Sequence, residues 1–177
     1  MIVLHCTQKL LKELRHPSLC TPANSGADWF KSWYANLLRF HKKKCVLFTN
    51  EKTLYSFIVP NVLRKDMEDI DTLFFTHLCS NLLHEGFPNN VVNQLTQLEQ
   101  KICFAKTANR TVVGTMVDLD FHCFYLIESI DDFDRILDVN YKINRILWRH
   151  LEYKYPIEAL SQTLGSNQDN PKIIKLY

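Results

Sequence analysis

The five-residue segment 107–111 combines side-chain types that bind anions. Arg110 offers a planar guanidinium that matches carboxylate and phosphate groups, and Thr107 and Thr111 place hydroxyl groups on either side of it. The segment lies between a strand-like run at 101–105 and an apolar helical pattern that begins at Val112. A strand, a tight turn and a helix start gather backbone N–H donors at one point. The segment therefore predicts a site for an anionic group.

Arg110 needs a negative partner if it lies in the first turn of a helix, because the helix dipole disfavours a cation there. The partner is either a ligand or an acid of the chain itself. In the second case Asn109 or Thr111 serves only as a helix cap. Both alternatives stay open on the sequence, and the candidate internal partners are Asp118, Asp120 and Asp138.

Trp33 and Asn36 lie in a run that predicts a strand over residues 33–40. Because side chains alternate along a strand, Asn36 shares a face with Tyr34 and Trp33 points the opposite way. An asparagine near a strand centre is unusual. It predicts either a pocket wall, where the amide and an aromatic ring contact a ligand, or a local hydrogen bond beside a packed tryptophan.

The sequence contains no recognisable catalytic or metal-binding motif. The four glycines form no phosphate-binding loop, and no segment has the pattern of a nucleophile elbow. The pairs His5-Cys6 and His122-Cys123 cannot chelate one ion by themselves, since adjacent side chains diverge on a strand or a helix. We therefore expect no metal and no cofactor, leave any catalytic residues unknown, and favour a binding protein over an enzyme.

Composition narrows the class of partner and the location. There are 21 basic and 19 acidic residues, so the net charge of +2 gives only weak support for nucleic-acid binding. No apolar run approaches the length of a membrane span, and the first six residues are too short and too quickly polar for a signal peptide. The six dispersed cysteines are typical of reduced thiols. We expect a cytoplasmic protein with no membrane partner.

Hydrophobic periodicity predicts an α+β fold with a small, mostly antiparallel sheet and four to five helices packed on it. The expected strands are an N-terminal strand at 2–6, a three-strand meander over 33–59 and one later strand at 101–105. We expect a single domain over residues 1–164, followed by a C-terminal tail over 165–177. The proline-containing segment 17–28 predicts a surface loop.

Helical spacing of apolar residues predicts where the main helices lie. One helix is expected over 67–82, with Gly86 as its C-terminal cap. Another is expected over 112–127. A further helix should begin near Asp131 or Asp132, and it either continues to residue 148 or breaks near Asn140.

Four stretches of the chain resemble the pattern of DUF6933, an uncharacterised bacterial family of the domain-of-unknown-function type. They occur in the family's order and span nearly the whole chain as one module, and the turn is the most specific of them. In this sequence they are Ile2-Val3-Leu4-His5-Cys6-Thr7-Gln8-Lys9-Leu10, Ser32-Trp33-Tyr34-Ala35-Asn36-Leu37, Thr107-Ala108-Asn109-Arg110-Thr111-Val112-Val113-Gly114-Thr115-Met116 and Ile143-Asn144-Arg145.

The resemblance implies a prokaryotic background, often associated with plasmids or mobile elements. It implies no known activity, substrate or catalytic residue. It strengthens the case for Arg110 and adds Arg145 as a candidate. Two positions depart from the family pattern: Val117 stands where many relatives have a polar residue, and Leu147 stands where many have proline. Any contribution of a polar side chain at position 117 is missing from this chain.

The leading hypothesis is a non-catalytic binding module that holds an anionic ligand or a protein partner in a groove near Arg110. One alternative is a small nuclease-like enzyme acting on phosphate esters, with His5 or His122 as general base. Another is a regulator in a toxin–antitoxin or defence pair. The candidate ligand-binding residues are Arg110, Thr107, Thr111, Asn36, Trp33 and Arg145.

Overall fold

The computed structural model describes residues 1–15, 17–20, 29–97 and 101–164. A five-stranded sheet carries helices on both faces, so the predicted α+β class is confirmed. The strands are β1 (Ile2–Cys6), β2 (Ser32–Phe40), β3 (Lys43–Asn50), β4 (Ser56–Val59) and β5 (Ile102–Lys106). The helices are α1 (Gln8–Glu13), α2 (Arg64–Glu68), α3 (Ile70–His84), α4 (Asn89–Gln97), α5 (Arg110–Leu126), α6 (Ile136–Ile143) and α7 (Pro156–Thr163).

The strand order of the sheet is β4-β3-β2-β1-β5. β2, β3 and β4 form the predicted antiparallel meander, and β1 pairs in parallel with β2 and with β5. The longest pairing is the antiparallel one between β2 and β3, so the sheet is mostly antiparallel, as expected. Because β1 lies between two parallel neighbours, the carboxyl ends of β1 and β5 lie at the same edge of the sheet.

Side-chain alternation along β2 builds one apolar core on each face of the sheet. Trp33 packs edge-on against Phe74 of α3, with ring centroids 5.1 Å apart. Tyr34 and Leu38 point the other way and belong to the core that includes α5 and α6. The central strands are apolar on both faces because both faces are covered.

The helix predicted over 67–82 is divided in two. α2 ends at Glu68, and the Asp69 side chain caps α3 by accepting a hydrogen bond from the amide of Thr72 at 3.4 Å. The carboxylate at this position therefore starts a new helix instead of continuing the old one. Gly86 adopts φ +90° directly after α3, which confirms it as the C-terminal cap.

The later helix also differs from its prediction. A 3₁₀ segment over Ile130–Arg135 precedes α6, which runs through Asn140 and ends at Ile143. Residues 146–148 are therefore not helical. Seven α-helices occur in the part of the chain that the structure describes. This exceeds the expected four to five because the sequence pattern joined α2 to α3 and missed α7.

The side chains of Asn140, in α6, and Asn144, directly after α6, pair with the outer edge of β4. Asn144 accepts a hydrogen bond from the Ser56 amide at 2.8 Å and donates to the Ser56 carbonyl at 2.7 Å. Asn140 does the same for Ile58, at 2.8 and 3.1 Å. Residues i and i+4 of a helix rise by about 6 Å, close to the roughly 6.6 Å between residues i and i+2 of a strand. The two side-chain amides thus make hydrogen bonds to β4 that a sixth strand would otherwise make, and they cover the β4 edge of the sheet.

Cys20 and Cys103 form a disulfide pair, with their Cα atoms 6.0 Å apart. This pair corrects the expectation of six reduced thiols. Segment 17–20 runs beside β5, where the Cys20 amide donates to the Phe104 carbonyl at 2.9 Å. The two cysteines are 83 residues apart in sequence, so their spacing gave no sign of the pairing.

One predicted segment lies partly outside the described residues and another lies wholly outside them. These are residues 21–28 of the expected loop and the expected tail over 165–177. Within the described ranges, no helix combines the length and apolar character needed to cross a membrane.

Asn144→Ala is expected to lower the free energy of unfolding by about 2–4 kcal/mol, because it leaves the buried N–H and C=O of Ser56 without partners. Urea denaturation followed by circular dichroism measures the change. Asn90→Ala, at an exposed position of α4, is the control and should shift it by less than about 0.5 kcal/mol. Equal stability of Asn144→Ala and the wild type would contradict the role of this amide at the β4 edge.

Candidate functional site

The carboxyl ends of β1 and β5 bring together three of the polar segments that the sequence singled out. Thr7 follows β1, the 107–111 turn follows β5, and the Thr7 hydroxyl donates to Asn36 Oδ1 of β2 at 2.9 Å. Helices α1 and α5, which follow β1 and β5, pack on opposite faces of the sheet. In open α/β sheets, ligands bind where consecutive connections leave toward opposite faces. We call this region, formed by Thr7, Asn36 and residues 107–111, the β1/β5 edge.

Tyr34, Glu51 and Asn109 form a hydrogen-bond network that holds the turn in place. The Asn109 amide donates to Tyr34 Oη at 2.9 Å, and Asn109 Nδ2 donates to Glu51 Oε1 at 3.1 Å. The Tyr34 hydroxyl donates to the same carboxylate oxygen at 3.5 Å, and the Ser32 hydroxyl donates to the other one. Burial raises the pKa of Tyr34, the Asn109 N–H opposes this rise, and the charge of Glu51 adds to it. The hydroxyl therefore stays protonated and keeps donating to the carboxylate.

His5 is part of the same assembly. Its ring stacks on Tyr34 with centroids 4.6 Å apart, and its Nδ1 lies 3.1 Å from the Lys106 carbonyl oxygen. The side chain is buried. His122, the other histidine considered as a general base, is exposed on α5. Sequence reasoning named both histidines but missed Tyr34 and Glu51 as members of the site. The shared strand face of Tyr34 and Asn36 was the one available signal.

Asn109 is the N-cap of α5. Its Oδ1 accepts hydrogen bonds from the amides of Thr111 at 3.0 Å and Val112 at 3.4 Å. The Asn109 amide itself is engaged by Tyr34. The protein thus uses several of the backbone donors that the sequence offered to an anion. Recognition at this turn would depend on the side chains of Arg110, Thr107 and Thr111.

Arg110 is exposed as the first residue of α5. Its side chain makes no ion pair or hydrogen bond with any residue in the described part of the chain. Of its candidate internal partners, Asp138 lies 3.1 Å from Nε2 of His84, and Asp118 and Asp120 are exposed. Within the described residues, the charge of Arg110 at this helix start is not balanced by a neighbouring acid.

Trp33 lies away from the β1/β5 edge. It is fully buried on the opposite face of β2, where its Nε1 donates to the Phe30 carbonyl at 3.0 Å. Its ring packs against Phe57 and Phe74. Trp33 therefore contributes to the core and does not line a surface with Arg110.

Arg145 is also held within the structure. Its guanidinium donates to both carboxylate oxygens of Glu85, at 3.3 and 2.8 Å, and lies 3.2 Å from the centre of the Tyr141 ring. The side chains of Arg145 and Glu85 are 11% and 2% exposed, so this is a buried pair. The neighbouring Asn144 places it beside β4, at the sheet edge opposite β5. The structure therefore does not bring Arg145 together with Arg110.

The free cysteine nearest to the β1/β5 edge in sequence is not suited to act as a nucleophile. Cys6 is buried, and burial raises the pKa of its thiol to about 12. A thiol with so high a pKa stays protonated near neutral pH and reacts slowly.

Three open cavities of about 380, 370 and 300 Å³ lie on the surface of the described residues. The first lies between α1 and α2 beside Glu13 and Met67, the second beside Phe124, and the third beside Lys154. Arg110 lines none of these three. Its exposed position at the start of α5 would present an anion to an open surface.

Asn109→Ala is expected to lower the free energy of unfolding by about 1–2 kcal/mol, because it removes the helix cap and a hydrogen bond to Glu51. Thermal or urea denaturation checks this. Thr111→Ala is the control, because Thr111 is exposed and only two residues away. Its free energy of unfolding should stay within about 0.5 kcal/mol of the wild type. If the two variants were equally stable, the network would not be holding the turn.

Arg145→Met is expected to destabilise the protein by about 3–5 kcal/mol, because it leaves the carboxylate of Glu85 buried without its counter-charge. The double variant Glu85→Leu/Arg145→Met should recover much of that loss, since neither charge then remains. Urea denaturation of the two variants measures both values. A single variant as stable as the wild type would argue that Arg145 is not a structural residue.

Residues 3–159 match the model of a family described as a domain of unknown function, DUF6933. No curated protein and no solved structure matches the chain. The matched range includes β2 to β5 entirely, nearly all of β1, and the network around Tyr34. The family match thus covers most of the 177 residues. The chain belongs to the DUF6933 family.

Proposed function

We propose that this protein is a non-catalytic binding module whose β1/β5 edge binds an anionic group through Arg110. The observation that carries the proposal is the exposed guanidinium at the start of α5, without a counter-charge in the described part of the chain. The helix dipole disfavours a cation at a helix N-terminus. An anion beside Arg110 is therefore attracted both by the guanidinium charge and by the N-terminus of the helix. The hydroxyls of Thr107 and Thr111 flank Arg110 and supply further donors.

The surrounding network supports a binding role because it fixes the turn before any ligand arrives. Tyr34 and Glu51 hold Asn109 from the β2–β3 side, and Thr7 is bonded to Asn36 at the neighbouring strand end. A binding group on a rigid support loses little conformational entropy when it captures its ligand. Only the long Arg110 side chain has to be ordered.

A phosphate-ester hydrolase remains the competing proposal, with His5 as the general base. His5 lies in the same network as Asn109, but its ring is buried and stacked, and its Nδ1 faces a carbonyl oxygen. Hydrolysis of bis(p-nitrophenyl) phosphate separates the two proposals. Turnover by the wild type that is lost in His5→Gln would favour the enzyme, and a rate no higher than the buffer background favours the binding module.

The family resemblance supports a wider biological proposal. It suggests a bacterial cytoplasmic protein associated with plasmids or mobile elements, and a regulator in a toxin–antitoxin or defence pair is one form that such a binding module takes. Co-purification with the product of a neighbouring gene would support that form, whereas a neighbouring product that does not bind the purified chain would count against it.

Arg110→Ala is expected to abolish anion binding while leaving the melting temperature within about 2 °C of the wild type, because the side chain has no partner to lose within the described residues. Inorganic phosphate titrated into the ¹⁵N-labelled full chain should shift the amide signals near Arg110, that of Thr111 among them, saturably in the wild type and not in Arg110→Ala.

Arg64→Ala is the matched control for this experiment. Arg64 begins α2 as Arg110 begins α5, but its Nε lies 3.4 Å from Glu68 Oε1. It should leave the phosphate titration unchanged. A large loss of stability in Arg110→Ala, or phosphate shifts that survive this substitution, would refute the proposed role of Arg110.

A further inference from the structure

The outward side of α5 is apolar, although it lies opposite the buried side of the same helix. Val117, Phe121, Phe124 and Tyr125 are 62%, 63%, 67% and 60% exposed. The buried side contributes Val112, Met116, Leu119 and Cys123 to the core. A helix with apolar residues on two opposite sides is normally covered on both, and an apolar surface patch commonly marks an interface.

The spacing of the exposed residues is that of a helix-pairing seam. Gly114, Val117, Phe121 and Phe124 follow one another at intervals of three, four and three residues. Arg110 lies four residues before this stripe, and the exposed Glu128 lies four residues after it, just beyond the end of α5. A positive charge thus lies at one end of the stripe, on the first residue of α5. A negative charge lies beyond the other end, where the chain has left helical geometry at Ile127.

We propose that this stripe pairs with the same stripe of a second copy of the chain, with the two α5 helices antiparallel. The Glu128 carboxylate of the second copy is then the anionic group that Arg110 binds. The inference rests on the proposed function, because it names the partner of that same site. Both charge pairs form at once, since a two-fold axis makes every contact occur twice.

The antiparallel arrangement matches large residues with small ones as well as opposite charges. With Arg110 opposite Glu128 of the second copy, Gly114 lies opposite Phe124 and Val117 lies opposite Phe121. Gly114 has no side chain, and a Cβ placed there would meet no atom within 4 Å, so the surface directly above it is open. Two exposed phenylalanines per chain would thereby be covered by the other chain.

The remaining charges of α5 lie at the margins of the stripe. Asp118 and Asp120 are exposed on its two sides, where they keep contact with water in the pair. Burial raises the pKa of Asp120, and the positive charge of Lys9 opposes this rise, so a cation lies near this margin of the stripe. The cavity of about 370 Å³ lies beside Phe124, Tyr125 and Glu128, and Arg39 and His41 also line it.

Sedimentation velocity of the full chain over a concentration series tests the pairing, with circular dichroism to confirm that each variant is folded. The wild type should form a dimer. Phe121→Gln should raise the dimer dissociation constant by about tenfold or more, because it removes a central apolar contact. Leu83→Gln, which changes an exposed apolar residue on α3, is the matched control and should leave the dissociation constant unchanged.

A charge exchange identifies the partner of Arg110. Arg110→Glu and Glu128→Arg should each raise the dissociation constant by about tenfold, and the double variant should return it to within about threefold of the wild type. A chain that is monomeric at every concentration overturns the inference, and so does a double variant that fails to restore the dimer.

Phosphate titration of Phe121→Gln separates the failure of this inference from the failure of the proposed function. At concentrations well below its raised dissociation constant this variant is monomeric, so its Arg110 is then open to phosphate whatever the wild type does. If phosphate shifts the Arg110 signal of Phe121→Gln saturably and the wild type is monomeric at every concentration, the pairing is refuted and the anion site is supported. If the double charge variant restores the dimer and phosphate shifts no signal of Phe121→Gln, the pairing is supported and a general anion site is refuted.

Discussion

The hydrogen bonds that join Asn109 to Tyr34 and Glu51 set where α5 begins, and the placement of Arg110 depends on them. Tyr34 lies in β2 and Glu51 directly follows β3, so the sheet determines the start of a helix whose N-cap, Asn109, comes 58 residues after Glu51. The side-chain oxygen of Asn109 then accepts hydrogen bonds from the first amides of α5. With these donors occupied, the chemistry that remains at the turn belongs mainly to Arg110, which explains why a single guanidinium dominates the proposed site.

A second polar arrangement at the far edge of the sheet gives the segment Ile143-Asn144-Arg145 a structural role. Asn144 covers the backbone of β4, and Arg145 neutralises Glu85 in a largely buried position. The residues that resemble the family pattern thus differ in role between the two edges of the sheet. Those near β4 maintain the fold, whereas Arg110 near β5 makes no contact that the fold requires among the described residues.

Local patterns were enough to predict most of the architecture, because strand alternation and polar turns record which residues face a core. The meander, the later strand and the Gly86 cap were all predictable in this way. The pairing of distant residues was not. The contact between Arg145 and Glu85 spans 60 residues and the contact between Asn109 and Tyr34 spans 75, and neither leaves a periodic signal in the sequence.

The same limit explains why the predicted site was only partly assembled. Alternation placed Trp33 and Asn36 on opposite faces of β2, but it could not show that the Trp33 face would be filled by α3. Knowledge of that packing would have removed Trp33 from the candidates and brought in Tyr34. Arg110, Thr107, Thr111 and Asn36 remain at one edge of the sheet.

The most direct test of the central claim is the melting temperature of the full chain with and without inorganic phosphate, since a ligand that binds only the folded state raises it. Anion binding by Arg110 predicts that phosphate stabilises the wild type and Arg64→Ala but has no such effect on Arg110→Ala. An equal rise in all three proteins would contradict the account, because phosphate would then be acting without the guanidinium at the start of α5.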